Sequence, residues 1–530
     1  MNESNRTDSA ESEKRYSNGP SSSQTRKNVI YLWLNRLVAM AFPLVTTPII
    51  VNGMSAELVA VWFYATQIAM QFAVLDMGIT NGLTRIMASS SVTVDERKRI
   101  FTTATYFLAF VASVILMIAP FLSELLVADI GGLSPDAYQQ GAKLVNLALM
   151  TTAVILLLRP GYSLLMGKHR FDLVQWVEAV GLALKFFLIV LIFKFLEPTL
   201  AKLGVAVYSI QLVAAFCTFA IGLKIYGLRV RELSFRWFSV PRLKKLMSIS
   251  LAMTAISLGS VILNQGSTVT SAHVFGVDAI APITLSLLVF VSITPFFQVF
   301  ATVIAPIAAG VSGAKEVELL KHDLITSSKY IMFFCLSCAV FFFMNGERLL
   351  ELWLSGRNIG AKEVFLINSM LVWLLVGYAV GVTAFIGKSV LSSVEGHWLV
   401  AIIEISTAIV GLSMAFGLAV YLDFGLVGFA IGSASIYMFR GCLIYPFFLA
   451  RFFKTSSWVL VNSVASKTLL ATGVSFLIAD NLNFEIAGTV FKPYGFDLAY
   501  LVFGVCQVLF FWFVIIEPKH RTNIRRLVVS

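Results

Sequence analysis

Charged residues are scarce in this sequence, at 13% of 530 residues, whereas about a quarter of a soluble globular chain is charged. Hydrophobic residues reach 58%. A soluble domain of this length could not cover its surface with so few charges. This excludes a cytosolic enzyme, a DNA-binding protein and a secreted disulfide scaffold, and leaves a polytopic membrane protein.

Cysteine and histidine are also sparse, with five of each. All the cysteines fall within apolar stretches, and phenylalanines surround the pair Cys335 and Cys338, which disfavours accessible metal-binding thiolates. The sequence has no G-x-x-x-x-G-K-[ST], H-E-x-x-H or G-x-S-x-G motif. We therefore expect no catalytic residue, no metal and no cofactor, while coupling to H⁺ or Na⁺ stays open.

Apolar windows recur along the chain at about 20 residues, the length that crosses a bilayer core. Continuous apolar runs of this kind predict helices and not barrel strands. The fold class is therefore an all-α polytopic membrane protein with about fourteen transmembrane helices. The windows are 29–51, 58–80, 101–123, 144–166, 173–195, 203–224, 246–268, 279–308, 328–345, 364–388, 400–420, 425–449, 458–479 and 497–516.

Basic residues are unevenly divided between the two ends of these helices. With the N-terminus inside, the cytoplasmic segments hold 28 of the 40 Lys and Arg residues and the outside loops hold seven. This predicts that both termini are cytoplasmic. It also explains the net charge of +11 by contact with anionic lipid headgroups instead of nucleic acid. No apolar segment follows Met1, so we expect no cleavable signal peptide.

The most basic loop, 224–245, follows six predicted helices, and six more precede a final pair. Similar stretches at 167–206 and 396–428 favour a parallel repeat about an axis along the membrane normal. The predicted organisation is a disordered cytoplasmic tail (1–28), an N-lobe (29–224), a basic cytoplasmic linker (225–245), a C-lobe (246–449), an appended helix pair (458–516) and a basic cytoplasmic C-tail (517–530).

Three segments resemble the polysaccharide exporters of the multidrug/oligosaccharidyl-lipid/polysaccharide (MOP) flippase superfamily. Thr47-Pro48 is similar to the "TP" of the family's first helix, and 75–85 (LDMGITNGLTR) is similar to its "LDxGL…R" at the end of helix two, with Ile79 in place of leucine. The segment 166–178 (MGKHRFDLVQWVE) is similar to the family's turn between helices four and five, and its counterpart lies at 391–428. The resemblance covers roughly 29–450.

The resemblance implies two six-helix bundles that face a central cavity and work by alternating access. It implies export of lipid-linked oligosaccharide, carried on polyprenyl pyrophosphate, across a bacterial inner membrane for O-antigen or exopolysaccharide biosynthesis. Besides the lipid bilayer, a polysaccharide polymerase and other assembly proteins are candidate partners.

Ionisable groups inside the membrane are costly and usually have a partner or a wet cavity. The surplus of cations suits a pyrophosphate headgroup, because Arg presents a planar fork to phosphate oxygens and Lys a point charge. The candidate substrate-binding residues of a cationic cavity are Arg36, Lys185, Arg159 and Arg440. The candidate polar or ion-coupling residues are Glu178, Asp76, Gln67, Gln71, Asn264 and Glu404.

Each candidate also has a purely structural interpretation. Arg159 and Arg440 could snorkel to the cytoplasmic headgroups. Asp76 and Glu404, near the cytoplasmic interface, could cap or pair locally. Glutamines 67 and 71 could join helices by hydrogen bonds. A further intramembrane cation, Lys467, belongs to the appended pair, and we expect it to lie outside the transport cavity.

Two other functions compete with export of lipid-linked sugar. An ion-coupled multidrug or cation antiporter of the same superfamily would favour acidic and aromatic groups in its cavity. An integral-membrane enzyme of polysaccharide assembly would need converging acids, bases or metal ligands in a sizeable extramembrane site. The longest outside connections have only about twenty residues, and the histidines are scattered over different connections.

Overall fold

The computed structural model describes residues 22–89, 92–128, 130–168, 170–229, 231, 233–309, 313–354, 359–394, 396–486 and 498–517. These residues form helices and turns, and no strand occurs among them. The prediction of an all-α polytopic membrane protein is confirmed. The α-helices are α1 (Ser22–Gly53), α2 (Ala56–Phe72), α3 (Ile79–Ala88), α4 (Val94–Ala128), α5 (Pro135–Leu158), α6 (Pro160–Gly167), α7 (Phe171–Phe195), α8 (Leu200–Tyr226), α9 (Val240–Phe275), α10 (Ile280–Ala309), α11 (Ala314–Leu354), α12 (Ala361–Val380), α13 (Val382–Val394), α14 (His397–Val420), α15 (Val427–Phe439), α16 (Tyr445–Phe452), α17 (Ser457–Ile486) and α18 (Leu498–Phe510).

Each predicted apolar window coincides with one of these helices or with a consecutive pair. Within the described residues, eleven helices are long and apolar enough to cross a membrane, or twelve if the bent α9 counts as one span. The first and last windows correspond to shorter apolar stretches, Leu37–Gly53 and Val502–Ile515. Helix α1 begins at Ser22, several residues inside the predicted tail 1–28, while 1–21 and 518–530 lie outside the described residues.

Two units of dense internal contact make up the chain. Unit 1 comprises 1–261 and 268–281, and unit 2 comprises 262–267 and 282–530. Because α9 contributes residues to both units, the boundary passes through this helix instead of the linker 225–245. The lobe boundaries drawn from the loop charges therefore stay a prediction.

The order of helix contacts inside unit 1 recurs inside unit 2. In unit 1, α4 packs on α5, α5 on α8, and α7 on α8. In unit 2, α11 packs on α12, α12 on α15, and α14 on α15. The same succession of neighbours in the two units is what a parallel repeat produces.

Each unit also contains a close helix crossing at a glycine. The fourth predicted span breaks between α5 and α6, where Pro160 removes a backbone donor, and a Cβ on Gly161 would overlap the backbone of Phe219 in α8. The tenth span breaks at Gly381, between α12 and α13, where a Cβ would overlap the carbonyl of Tyr437. Each crossing therefore needs glycine because two helix backbones approach closely.

A matching sequence signal accompanies the crossings. Gly161 is followed six residues later by Gly167-Lys168, and Gly381 is followed six residues later by Gly387-Lys388. This G-x₅-G-K repeat indicates the internal repeat more clearly than the similarity between the stretches 167–206 and 396–428 does.

Candidate functional site

The predicted LDxG motif forms the break at the end of the second span. After α2 a short 3₁₀ turn, Ala73–Asp76, leads into Met77 and Gly78, both with left-handed backbones (φ of 51° and 65°). Gly78 is required there, because a Cβ would lie 2.5 Å from the carbonyl oxygen of Ser250. Asp76 then caps α3, since its Oδ1 accepts a hydrogen bond from the Thr80 backbone N–H at 3.0 Å.

The second oxygen of Asp76 holds Arg159 at the break between α5 and α6. Arg159 Nη1 lies 2.9 Å from Asp76 Oδ2, and the exposed fractions of the two side chains are 36% and 8%. Ser163 on α6 also donates to the Thr80 carbonyl at 2.8 Å. These hydrogen bonds therefore join the second and fourth predicted spans of unit 1 at the points where each is broken. The interpretation of Asp76 as a local capping and pairing residue agrees with this geometry.

A cavity of about 440 Å³ opens at the same place. It contains one guanidinium, that of Arg159, and the carboxyl groups of Asp76 and Glu178, with Tyr162 beside them. The remaining lining residues are Thr80, Asn81, Ile155, Leu158, Val177, Ala214, Ala215 and Thr218. The cavity is therefore mixed in charge and lies between the second, fourth, fifth and sixth predicted spans, all within unit 1.

Lys185 lies two turns along α7 from Glu178, as the sequence predicts. Its side chain is half-buried, and the Glu178 carboxylate attracts its ammonium group. It is not among the residues that line the cavity. Lys185 thus lies on the cavity-bearing helix but beyond the cavity.

Unit 2 contains a second, closed charge cluster around Glu404 on α14. Arg440 Nη1 donates to Glu404 Oε2 at 3.0 Å, and Tyr445 donates its hydroxyl hydrogen to Oε1 at 2.8 Å. Lys388 Nζ lies 3.8 Å from Oε2. Arg440 Nε further donates to the hydroxyl of Thr407 at 2.6 Å. Side-chain exposures of 5% for Arg440 and 4% for Glu404 show that water has little access to this pair.

This burial differs from the open cationic cavity expected around Arg440, whose substrate-binding role stays a prediction. A short π-helical segment, Arg440–Ile444, interrupts the twelfth predicted span and begins at this residue. The guanidinium is occupied by Glu404 and Thr407, and it neither snorkels to the membrane surface nor lines the cavity of unit 1. The Arg440–Glu404 pair therefore joins α14 to the π-helical segment that follows α15.

The neutral polar candidates are dispersed. Asn264 accepts a hydrogen bond from the Tyr437 hydroxyl at 3.0 Å inside unit 2. Gln67 and Gln71 are half-buried on α2, and the buried Nε2 of Gln71 has no hydrogen-bond partner in the described part of the chain. None of the three lines the cavity of unit 1.

Two further intramembrane cations predicted from the sequence are Arg36 and Lys467. Arg36 belongs to α1, but its side chain lies outside the described residues. Lys467 lies on α17 with an exposed side chain.

The sequence did not single out several residues that complete these sites. Tyr162, Asn81 and Thr218 line the cavity of unit 1, while Lys388 and Tyr445 surround Glu404. The G-x₅-G-K repeat points to Lys388, because it aligns this residue with Lys168. Hydropathy alone carries no signal for the others.

No protein-family model and no curated protein sequence matches the chain. Solved structures do match. A lipid II flippase, MurJ, in an inward closed conformation has a TM-score of 0.71 at 12% identity, covering 91% of this chain and 97% of its own. An inward-facing multidrug resistance MATE family transporter of the MOP superfamily has a TM-score of 0.65 at 17% identity, covering 80% and 96%. A MOP superfamily transporter from Pyrococcus furiosus has a TM-score of 0.56 at 14% identity, covering 84% and 98%.

These likenesses extend over nearly the full length of the matched proteins, which are transporters and a flippase. The prediction that the chain has the fold of the MOP superfamily is confirmed. At these identities the likeness concerns the fold, and function has to be argued from the residues.

Proposed function

We propose that this protein is a flippase that moves polyprenyl-pyrophosphate-linked oligosaccharide across a bacterial inner membrane by alternating access. The observation that carries the proposal is the exposed part of the Arg159 guanidinium, held at a helix break in a cavity within the membrane-spanning part of unit 1. The fold shared with a lipid II flippase supports the same substrate class.

The pairing of Arg159 leaves donors for a phosphate. Within the described residues its side chain makes one hydrogen bond, from Nη1 to Asp76, and 36% of the side chain is exposed. Nε and Nη2 can therefore present two N–H groups to the oxygens of a pyrophosphate, which is the bidentate geometry that favours arginine at such sites. Asp76 fixes the orientation of the guanidinium and so limits the rotamer freedom lost on binding.

Lys185 on α7 adds a second cation beyond the cavity that contains Arg159. Its long side chain can extend the ammonium group away from the helix backbone, toward a second phosphate. A pyrophosphate cannot cross hydrocarbon unaided, so cations on neighbouring helices would lower the barrier stepwise. We include Arg36 of α1 in this cationic path on the sequence argument alone.

Leaflet-resolved detection of lipid-linked sugar in a strain lacking the gene tests this proposal. Arg159→Gln and Lys185→Ala should each reduce outer-leaflet sugar at unchanged protein level. Lys467→Gln is the matched control, because it removes an exposed cation from α17, outside the cavity. Export at the wild-type level in an Arg159→Gln, Lys185→Ala double variant would contradict the proposal.

A multidrug or cation antiporter is the second candidate, because the cavity has two carboxyl groups, from Asp76 and Glu178, against one guanidinium, with Tyr162 alongside. Such a site suits an organic cation, and a MATE transporter shares the fold. Drug resistance conferred on a pump-deficient host, lost in Glu178→Gln, would favour this function. Sugar export without drug resistance would favour the flippase.

A further inference from the structure

A second polar cavity lies outside the site described above, at the N-terminal end of α4. It has a volume of about 300 Å³. Lys98, Arg99 and Arg231 contribute three cationic side chains to its lining, against the single carboxylate of Asp95. None of these residues belongs to the transport path proposed above.

The cavity forms because the connection after α8 is fastened to α4. The Tyr106 hydroxyl donates to the carbonyl of Leu233 at 2.8 Å. The Thr103 hydroxyl, which donates to the Arg99 carbonyl at 2.8 Å, also lies 3.3 Å from the carbonyl oxygen of Trp237. The guanidinium carbon of Arg99 lies 4.4 Å from the centre of the Trp237 ring. Three separate contacts along two turns of α4 therefore give this basic cavity a fixed wall.

Arg99 keeps a donor that no other described residue uses. The buried Nε of Arg99 has no hydrogen-bond partner among the residues that the structure describes. Glu96, the nearest acidic neighbour in sequence besides Asp95, is engaged by Arg242, whose Nε lies 3.0 Å from Glu96 Oε1. Arg99 and the exposed Arg231 therefore offer N–H donors on the same cavity wall, which is what an anionic oxygen group requires.

The position of the cavity indicates a membrane lipid as the source of that anion. Helix α4 has 35 residues and is about 52 Å long, against a hydrocarbon core of about 30 Å, so its polar first turns extend into the headgroup region. Trp237, which lines the cavity, and Phe235, two residues before it in the sequence, have exposed fractions of 40% and 67%. Exposed aromatic side chains beside basic ones are typical of the membrane interface.

We propose that this cavity binds the phosphodiester headgroup of an anionic membrane phospholipid, which fastens the connection after α8 to the lipid surface. The lipid phosphate would accept hydrogen bonds from Arg99 and Arg231, while Trp237 and Phe235 lie among the headgroups and upper acyl chains.

Native mass spectrometry of the detergent-purified full chain, titrated with dioleoylphosphatidylglycerol, tests the proposal. We expect one tightly bound lipid on the wild-type protein. Its apparent affinity should fall about fivefold in Arg231→Gln and about thirtyfold in R99Q/R231Q, as expected for about 1 kcal/mol per cation. Arg231 is exposed, so the single variant keeps the test available if the double variant is unstable.

Arg451→Gln is the matched control, since Arg451 also stacks over an aromatic ring, 4.1 Å from the centre of Phe447, but in unit 2. It should retain the bound lipid. Equal affinities for wild-type and R99Q/R231Q would overturn the site. Displacement of the lipid by an equimolar amount of inorganic phosphate would overturn the lipid assignment, because the occupant would then be a soluble phosphate compound.

Discussion

The two arginine–carboxylate pairs should respond very differently to mutation, because their burial differs. Arg440 and Glu404 have side-chain exposures of 5% and 4%, whereas Arg159 has 36%. Removing one partner of a buried pair costs about 3–5 kcal/mol, since the other charge is left without compensation in a medium of low dielectric constant. In the Arg159–Asp76 pair the carboxylate is 8% exposed, but it borders the cavity and keeps the Thr80 N–H as a partner, so the loss of the arginine should cost only about 1 kcal/mol.

Arg440→Met should therefore lower the stability of the purified protein by about 3–5 kcal/mol, because Glu404 keeps only Tyr445 and the more distant Lys388 as partners. An Arg440→Met, Glu404→Leu double variant should be more stable than Arg440→Met, because it removes the uncompensated charge together with its partner. Arg159→Gln should change stability by only about 1 kcal/mol.

Thermal melting in detergent, followed by tryptophan fluorescence, ranks the stabilities of these variants. We expect wild type and Arg159→Gln to melt at similar temperatures, and Arg440→Met to melt much lower, with partial recovery in the double variant. If Arg440→Met melts with the wild type, or if the double variant melts no higher than Arg440→Met, the assignment of Arg440 to a structural cluster is wrong.

Two further predictions concern the repeated G-x₅-G-K segments. Gly161→Ala and Gly381→Ala should each destabilise the protein by about 1–3 kcal/mol, because the added methyl group overpacks the helix crossing. Gly473→Ala is the control, since a Cβ there would meet no atom within 4 Å, and it should leave the stability unchanged. Equal melting temperatures for all three variants would contradict the close approach of the helices. Burial, together with the nearby charge of Arg97, lowers the pKa of Lys168 to about 8. Amine labelling of Lys168 should rise with a midpoint near pH 8, read by peptide mass spectrometry, and a midpoint near pH 10.5 would contradict the burial.

Helix positions were predictable because they depend on local composition. A window of apolar residues long enough to span a bilayer identifies a helix without knowledge of its neighbours, and every such window coincides with a helix. The role of the LDxG motif was only partly predictable from the sequence. The glycine and the aspartate indicate a break and a cap, but the close approach of Gly78 to Ser250 is a contact between distant segments.

The pairing of charges was not predictable. Arg159 and Asp76 are 83 residues apart, and Arg440 and Glu404 are 36 apart, so depth within a span does not identify the partner. Both arginines looked equivalent in sequence because each lies about ten residues from the cytoplasmic end of a predicted helix. Packing of neighbouring helices decides that one borders a cavity and the other is enclosed, and such packing leaves no local pattern.

Transport by the purified protein in vesicles measures directly whether the Arg159 guanidinium handles the pyrophosphate. The purified protein would be placed in vesicles carrying a polyprenyl-pyrophosphate-linked disaccharide, and the sugar reaching the opposite leaflet would be measured with an impermeant sugar-binding probe. We expect transfer by the wild-type protein and by Lys467→Gln, and at least a tenfold slower transfer by Arg159→Gln at equal melting temperature. Equal rates for Arg159→Gln and wild type would show that the guanidinium in the unit 1 cavity does not handle the pyrophosphate.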